Sequence, residues 1–104
     1  MDPSPQSQND MLVLREQLPM RRPYVAPRTP TEARLAEIWR QVLGMDRVGV
    51  DDAYRDLGGD SLLASVIFAL ISEAFEVTAQ MSMLIQAPTV AQLAEKIDLL
   101  VSAA

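Results

Sequence analysis

Apolar residues recur with helical spacing in the first half of the chain, between two residues suited to the ends of a helix. The repeat that marks one helix face consists of Leu35, Ile38, Trp39 and Val42. Thr29 before it and Glu32 three residues later form a capping box, with Pro30 at the first helical position. Gly44 is suited to end the helix. The pattern predicts a helix between Thr29 and Gly44, with Trp39 packed in the core.

A second helical pattern runs from about Asp60 to Phe75. The predicted core face consists of Leu63, Ile67, Leu70, Ile71 and Ala74. The opposite, solvent-facing side consists of Ser61, Ser65, Ser72 and Glu76. Leu62, Val66 and Ala69 fall near that polar side, where they either pack ordinarily or form a docking surface for a partner.

A third long pattern follows Thr89, which with Gln92 makes another capping box. Its apolar stripe consists of Val90, Leu93, Ala94, Ile97, Leu100 and Val101. The short apolar stretch before it, residues 78–87, fits a single helical turn capped by Ser82. Met81 in that stretch suits either the core or a surface that accepts several partners. We therefore expect an all-α fold: a small four-helix bundle with a short third helix and a long loop between helices 1 and 2.

Prolines divide the chain into two parts. Residues 1–28 contain five of the seven prolines, which break any long element, and we expect a flexible N-terminal tail or linker there. Residues 29–102 form the predicted domain.

Within this domain, residues 45–59 lack a regular period, and Val48, Val50, Tyr54 and Leu57 are expected to pack this loop against the core. Three acids in the loop and one just after it, Asp51, Asp52, Asp56 and Asp60, lack the spacing of a calcium loop and are interpreted as a solvated acidic face.

Composition narrows the possible chemistry. The chain of 104 residues has no cysteine and no histidine, so thiolate and imidazole chemistry are excluded and no metal site is predicted. The net charge of −5 resides entirely after residue 23. An acidic domain without a basic patch argues against nucleic acid and anionic membranes as partners. No apolar run is long enough to span a bilayer, and we expect a monomer in the cytoplasm.

The two glycines at 58–59 lead into Asp60 and Ser61, both good helix N-cap residues. Ser61 is either only a cap or a reactive group. The run Gly59 to Leu62 spells the signature of the GDSL esterases, but a nucleophilic serine needs a base, and the chain has no histidine. Two interpretations stay open: another enzyme modifies Ser61 at a helix N-terminus that favours an anion, with Asp60 partly opposing it, or the domain is an unmodified helical adaptor.

Six segments together resemble the peptidyl carrier proteins, or thiolation domains, of nonribosomal peptide synthetases, and the resemblance covers residues 24–101. The segments are Tyr24–Glu32, Ile38–Trp39, Val42–Gly44, Val48–Asp52, Leu57–Leu62 and Ala87–Val90. The resemblance implies that Ser61 carries a covalent 4′-phosphopantetheine arm, with Gly59, Asp60 and Leu62 forming the surrounding motif. It also implies a phosphopantetheinyl transferase, an adenylation enzyme, and condensation, tailoring or thioesterase enzymes as partners. Under this interpretation the domain has no catalytic residue, and partners dock on Leu62, Val66 and Met81.

The chain departs from the family pattern at two places. Where the family often has two aromatic residues before Leu-Gly-Gly, this chain has Tyr54 and Arg55, and where it often has glycine after Phe75, this chain has Glu76. Acyl carriers of the polyketide or fatty-acid type are the near alternative, although the Gly-Gly pair favours the peptidyl branch. The initial methionine is compatible with a free-standing protein, and the segment around Leu18 and Pro19 with a piece of a larger synthetase.

Overall fold

Four α-helices make up most of the computed structural model, which describes residues 12–103. They are α1 (Pro30–Leu43), α2 (Ser61–Phe75), α3 (Met83–Gln86) and α4 (Val90–Ala103). One 3-10 turn, Arg15–Gln17, precedes α1, and a second, Tyr54–Leu57, lies between α1 and α2. Within residues 12–103 there is no β-strand, only two isolated bridges that pair Val13 with Met45 and Ala53 with Thr89. The predicted bundle with a short third helix is confirmed.

The helix ends follow the local sequence. The Thr29 hydroxyl accepts from the backbone N–H of Glu32 at 3.1 Å, and Gly44 ends α1 in the left-handed conformation at φ 67°. The Glu32 carboxylate, however, accepts from the backbone N–H of Arg28 at 2.8 Å instead of from Thr29. The Thr89 hydroxyl likewise accepts from the N–H of Gln92 at 3.2 Å. The caps predicted at Thr29 and Thr89 are confirmed, but neither box has its reciprocal bond, since Gln92 Oε1 accepts from the Thr89 hydroxyl at 3.1 Å. Ser82, predicted to cap the short helix, stands before α3 but makes no side-chain cap hydrogen bond.

Helix α1 packs against both α2 and α4, and the core lies between these three helices and the loop that joins α1 to α2. The core residues with no solvent exposure are Leu35, Trp39, Met45, Val50, Ile67, Ile71, Ala87, Val90, Leu93 and Ile97. The four loop residues predicted to pin the loop, Val48, Val50, Tyr54 and Leu57, are all buried. The loop is therefore part of the core and not a loose connection.

The buried face of α2 differs from the predicted one. Its buried residues are Ala64, Ile67, Phe68 and Ile71. Leu70, predicted in the core, is 37% exposed, and Phe68 takes the place expected for it. The prediction was wrong because α2 is apolar nearly all the way round, so that hydrophobicity alone does not fix which face packs inward.

The segment before α1 is packed on the bundle. Val13 pairs by backbone hydrogen bonds with Gly44 and Asp46, at 2.8 and 3.0 Å. Farther along, the Val25 carbonyl accepts from the N–H of Val50 at 2.9 Å, and Tyr24 lies under the Arg47 guanidinium. The division of the chain at residue 28 stays a prediction, as does the tail at residues 1–11, which lie outside the described residues.

A buried ion pair anchors this segment to the loop. The Arg15 guanidinium donates from two nitrogens to the Asp52 carboxylate, both at 2.6 Å, and Asp52 also accepts from the N–H of Gly49 at 2.8 Å. Hydrogen bonds to Asp52 raise the pKa of Arg15 against the opposing effect of burial. Asp52 is 1% exposed, so its assignment to a solvated acidic face is wrong. Its charge is buried because Arg15, 37 residues away in sequence, neutralises it.

Candidate functional site

Ser61 is the first residue of α2, and its side chain is exposed. Asp60 occupies the N-cap position, where its carboxylate accepts from the backbone N–H of Leu63 at 2.9 Å. The Asp60 carbonyl accepts the first helical hydrogen bond, from Ala64, at 2.9 Å. The cap therefore falls to Asp60, and the Ser61 hydroxyl is left to face solvent at the helix N-terminus.

The two glycines before Asp60 suit their positions for different structural reasons. Gly58 adopts the left-handed conformation at φ 85°, which glycine takes without steric cost. Gly59 lies against the Tyr54 ring so closely that a Cβ there would come within 2.2 Å of a ring carbon. Gly58 thus makes the turn, and Gly59 lets the chain pass over a buried aromatic ring.

Tyr54 links this turn to the core. Its ring meets Trp39 edge to face at 5.3 Å between centroids, and its hydroxyl donates to the Asp60 carbonyl at 2.9 Å. Burial, reinforced by the negative charge of Asp60, raises the pKa of Tyr54. The sequence predicted Tyr54 only as a core residue. The signal that could have revealed more was a tyrosine, instead of the phenylalanine that an apolar core alone would need, six residues before Asp60.

A groove of about 710 Å³ opens beside Ser61, between the 3-10 turn, the start of α2 and α3. The residues that line this groove include Tyr54, Arg55, Met81, Leu84 and Ile85. Of the residues predicted to contact partners, the structure places Met81 in this groove with Ser61. The side chains of Met81, Leu84 and Ile85 make part of this groove apolar.

Exposed apolar side chains continue from the groove along α2. Leu62 is 74% exposed, and Val66, one turn farther on, is also exposed. Ile85 on α3, which the sequence analysis did not select, is 84% exposed. We call Leu62, Val66, Met81 and Ile85 the apolar rim. The question left open for Leu62 and Val66 is answered in part, since neither is core.

Two observations bear on hydrolysis by Ser61. The chain has no histidine, and the adjacent carboxylate, Asp60, is engaged as the helix cap. Among residues 12–103, no three acidic side chains come together in a way that could hold a metal ion. Nor is any helix in that range long and apolar enough to cross a membrane.

Comparison with known proteins identifies the family. The model of the phosphopantetheine attachment site matches residues 33–97, more than half of the chain. Tyrocidine synthase 3 of Brevibacillus parabrevis is 49% identical over 71 residues, which is 68% of this chain and 1% of that protein. A dimodular nonribosomal peptide synthase of Bacillus subtilis is 47% identical over 73 residues, which is 70% of this chain and 3% of that protein. The chain thus spans only a small part of the length of these curated relatives.

Solved structures of peptidyl carrier proteins resemble this chain in fold. An active-site mutant of a peptidyl carrier protein superposes with a TM-score of 0.74 at 32% identity, over 78% of this chain and 90% of that one. A peptidyl carrier protein solved with the phosphopantetheine transferase Sfp and coenzyme A gives 0.70 at 34% identity, over 73% and 99%. The chain belongs to the family of phosphopantetheine attachment domains. Within that family it is a carrier domain of the peptidyl type, which holds its cargo on phosphopantetheine.

Proposed function

We propose that Ser61 is the residue that receives the 4′-phosphopantetheine arm, and that the domain is a non-catalytic carrier in the synthesis of a nonribosomal peptide or a related natural product. The observation that carries this proposal is the exposed Ser61 hydroxyl at the first position of α2, beside a groove, within the Gly-Asp-Ser-Leu motif. The arm supplies a thiol, absent from the chain itself, on which an aminoacyl or peptidyl group is held as a thioester.

The residues around Ser61 fit such a modification. The free N–H groups and the dipole of α2, a helix of 15 residues, favour the negative phosphodiester. Asp60 opposes it by like charge but fixes the first turn as the N-cap, and Gly59 leaves the space that the turn needs. The groove lined by Met81, Leu84 and Ile85 has room for the pantetheine chain.

We propose that partner enzymes dock on the apolar rim, and that Leu62, Val66 and Met81 contribute to their recognition. The partners are a phosphopantetheinyl transferase, an adenylation enzyme that loads the arm, and condensation, tailoring or thioesterase enzymes that use the cargo. The transferase is supported by the carrier, 34% identical to this chain, that was solved with one. The monomeric state and the cytoplasmic location stay predictions from the sequence.

The decisive experiment is modification of the purified apo protein by a phosphopantetheinyl transferase with coenzyme A, followed by intact mass spectrometry. We expect the wild type to gain the mass of one arm and Ser61→Ala to gain none. Ser65→Ala is the matched control, because Ser65 is also exposed in α2, one turn farther on. It should be modified like the wild type.

Failure of the wild type to gain an arm would overturn the proposal and leave an unmodified adaptor. An arm on Ser61→Ala would place the attachment elsewhere. A serine hydrolase would instead turn over an activated ester in a manner abolished by Ser61→Ala, and we expect no such turnover.

A further inference from the structure

The peptide bond between Asp60 and Ser61 is held by one buried side chain. The Tyr54 hydroxyl donates to the Asp60 carbonyl at 2.9 Å, and that carbonyl belongs to the same peptide plane as the Ser61 N–H. The Tyr54 ring also lies directly against Gly59, and the Gly59 N–H donates to the Tyr54 carbonyl at 3.2 Å. One residue thus fixes the backbone on both sides of Asp60.

Tyr54 is itself immobilised by the core. Its side chain is buried, and the ring meets the fully buried Trp39 edge to face. Its backbone N–H donates to the Pro88 carbonyl at 2.9 Å, which ties the 3-10 turn to the segment before α4. The Ser61 hydroxyl is therefore at the surface, whereas the backbone of Ser61 is connected through Tyr54 to the core of the bundle.

An apolar core does not explain the hydroxyl of Tyr54. A phenylalanine would pack equally on Trp39 and Gly59, whereas the tyrosine hydroxyl serves only the Asp60 carbonyl among the hydrogen bonds of the described residues. That carbonyl already accepts the N–H of Ala64. The second bond is not needed to satisfy the carbonyl, so its structural effect is to fix the direction of the peptide plane.

We propose that Tyr54 is a positioning residue for the modification of Ser61, an inference that rests on the attachment function proposed above. Transfer forms a bond between Ser61 Oγ and the phosphorus that carries pantetheine in coenzyme A. The pyrophosphate bond to 3′,5′-ADP breaks, and the serine proton passes to a base of the transferase. Such an attack requires Oγ in line with the leaving oxygen, and a Ser61 backbone free to tilt would reach that alignment in a smaller fraction of encounters.

The test is Tyr54→Phe in a single-turnover assay, with apo carrier, coenzyme A and excess transferase. The substitution keeps the ring and removes only the hydroxyl. We expect the rate of arm transfer at saturating transferase to fall about five-fold, the effect of one hydrogen bond. The half-saturating transferase concentration should stay within about two-fold of wild type, because the apolar rim is unchanged.

Ile97→Val is the matched control for a general loss of stability. It removes one methyl group from a fully buried side chain in α4. It should lower the unfolding temperature by about as much as Tyr54→Phe does, without slowing transfer. Gly59→Ala approaches the same contact from the other side, because its new methyl group displaces the Tyr54 ring. It should slow transfer also, and adding Tyr54→Phe to it should slow transfer less than about two-fold further.

Transfer to Tyr54→Phe at the wild-type rate would overturn the inference while leaving the attachment function intact. The inference fails equally if Ile97→Val slows transfer as much as Tyr54→Phe. An unmodified wild-type protein would instead overturn the attachment function, so the two failures are distinguishable.

Discussion

At the residue scale, Glu76 is a side chain in a position that suits glycine. It follows the last residue of α2 with φ 54° and ψ 46°, and its N–H donates to the Ser72 carbonyl. It is the only residue other than glycine with positive φ among residues 12–103. The departure from the family pattern noted at this position is therefore a strained helix end, because a Cβ is disfavoured in the left-handed conformation.

Glu76→Gly should stabilise the protein by about 1 kcal/mol, since it removes that strain and keeps the backbone hydrogen bond. Urea denaturation at neutral pH measures the change. Glu95→Gly is the matched control: Glu95 is exposed in the middle of α4, where glycine should cost about 1 kcal/mol. If Glu76→Gly destabilised the protein as Glu95→Gly does, position 76 would carry no conformational strain.

The sequence was informative wherever a local rule decides the outcome. Thr29 and Thr89 cap their helices because each hydroxyl is placed to reach the free N–H three residues on, whereas Ser82 before α3 makes no such bond. The exposure of Ser61 likewise followed from helical periodicity. The hydroxyl of Tyr54 was missed because its acceptor is a backbone carbonyl, which no side-chain pattern reveals.

At the scale of elements, the segment at residues 12–28 is tied to the loop between α1 and α2 by a buried charge on each side. Arg15 and Asp52 were the pair that local reasoning could not find, because 37 residues separate them. A buried ion pair is weak evidence of net stabilisation, but removing one partner leaves an uncompensated charge. The segment is therefore expected to matter for folding, which a flexible tail would not.

Arg15→Met should destabilise the protein by about 3–5 kcal/mol, because Asp52 would stay buried without its counterion. Arg21→Met, an exposed arginine in the same segment, is the matched control and should change stability by less than about 0.5 kcal/mol. Both are measured by urea denaturation. The double variant Arg15→Met with Asp52→Asn should lose less than Arg15→Met alone, because the buried charge is removed. If Arg15→Met behaved like Arg21→Met, the ion pair would not anchor the segment.

At the scale of the whole molecule, the chain combines a fixed turn with an apolar surface that faces solvent. The core anchors Ser61 through Tyr54, while the apolar rim around it remains uncovered among the described residues. Apolar residues on more than one side of α2 explain both this arrangement and the wrong prediction for Leu70: the helix supplies one apolar face to the core and another to the surface. A helix apolar on two sides is costly for a monomer unless the outer side is used.

Leu62→Glu should therefore impair recognition far more than folding. Loss of a buried leucine contact with the transferase is worth about 1.5–3 kcal/mol, so kcat/KM for arm transfer should fall at least about ten-fold. Stability in urea should change by less than about 0.5 kcal/mol, because Leu62 contributes little to the core. Val66→Glu should act in the same direction.

Leu99→Glu separates a docking surface from exposed hydrophobicity in general. Leu99 is 70% exposed, close to the 74% of Leu62, but it lies on α4, whereas Leu62 directly follows Ser61 in α2. It should be modified with wild-type kcat/KM. If Leu62→Glu and Leu99→Glu lowered kcat/KM equally, the effect would come from net charge, and the rim would have no special role. If only Leu62→Glu lowered kcat/KM, the transferase would bind the side of α2 that does not pack against the core.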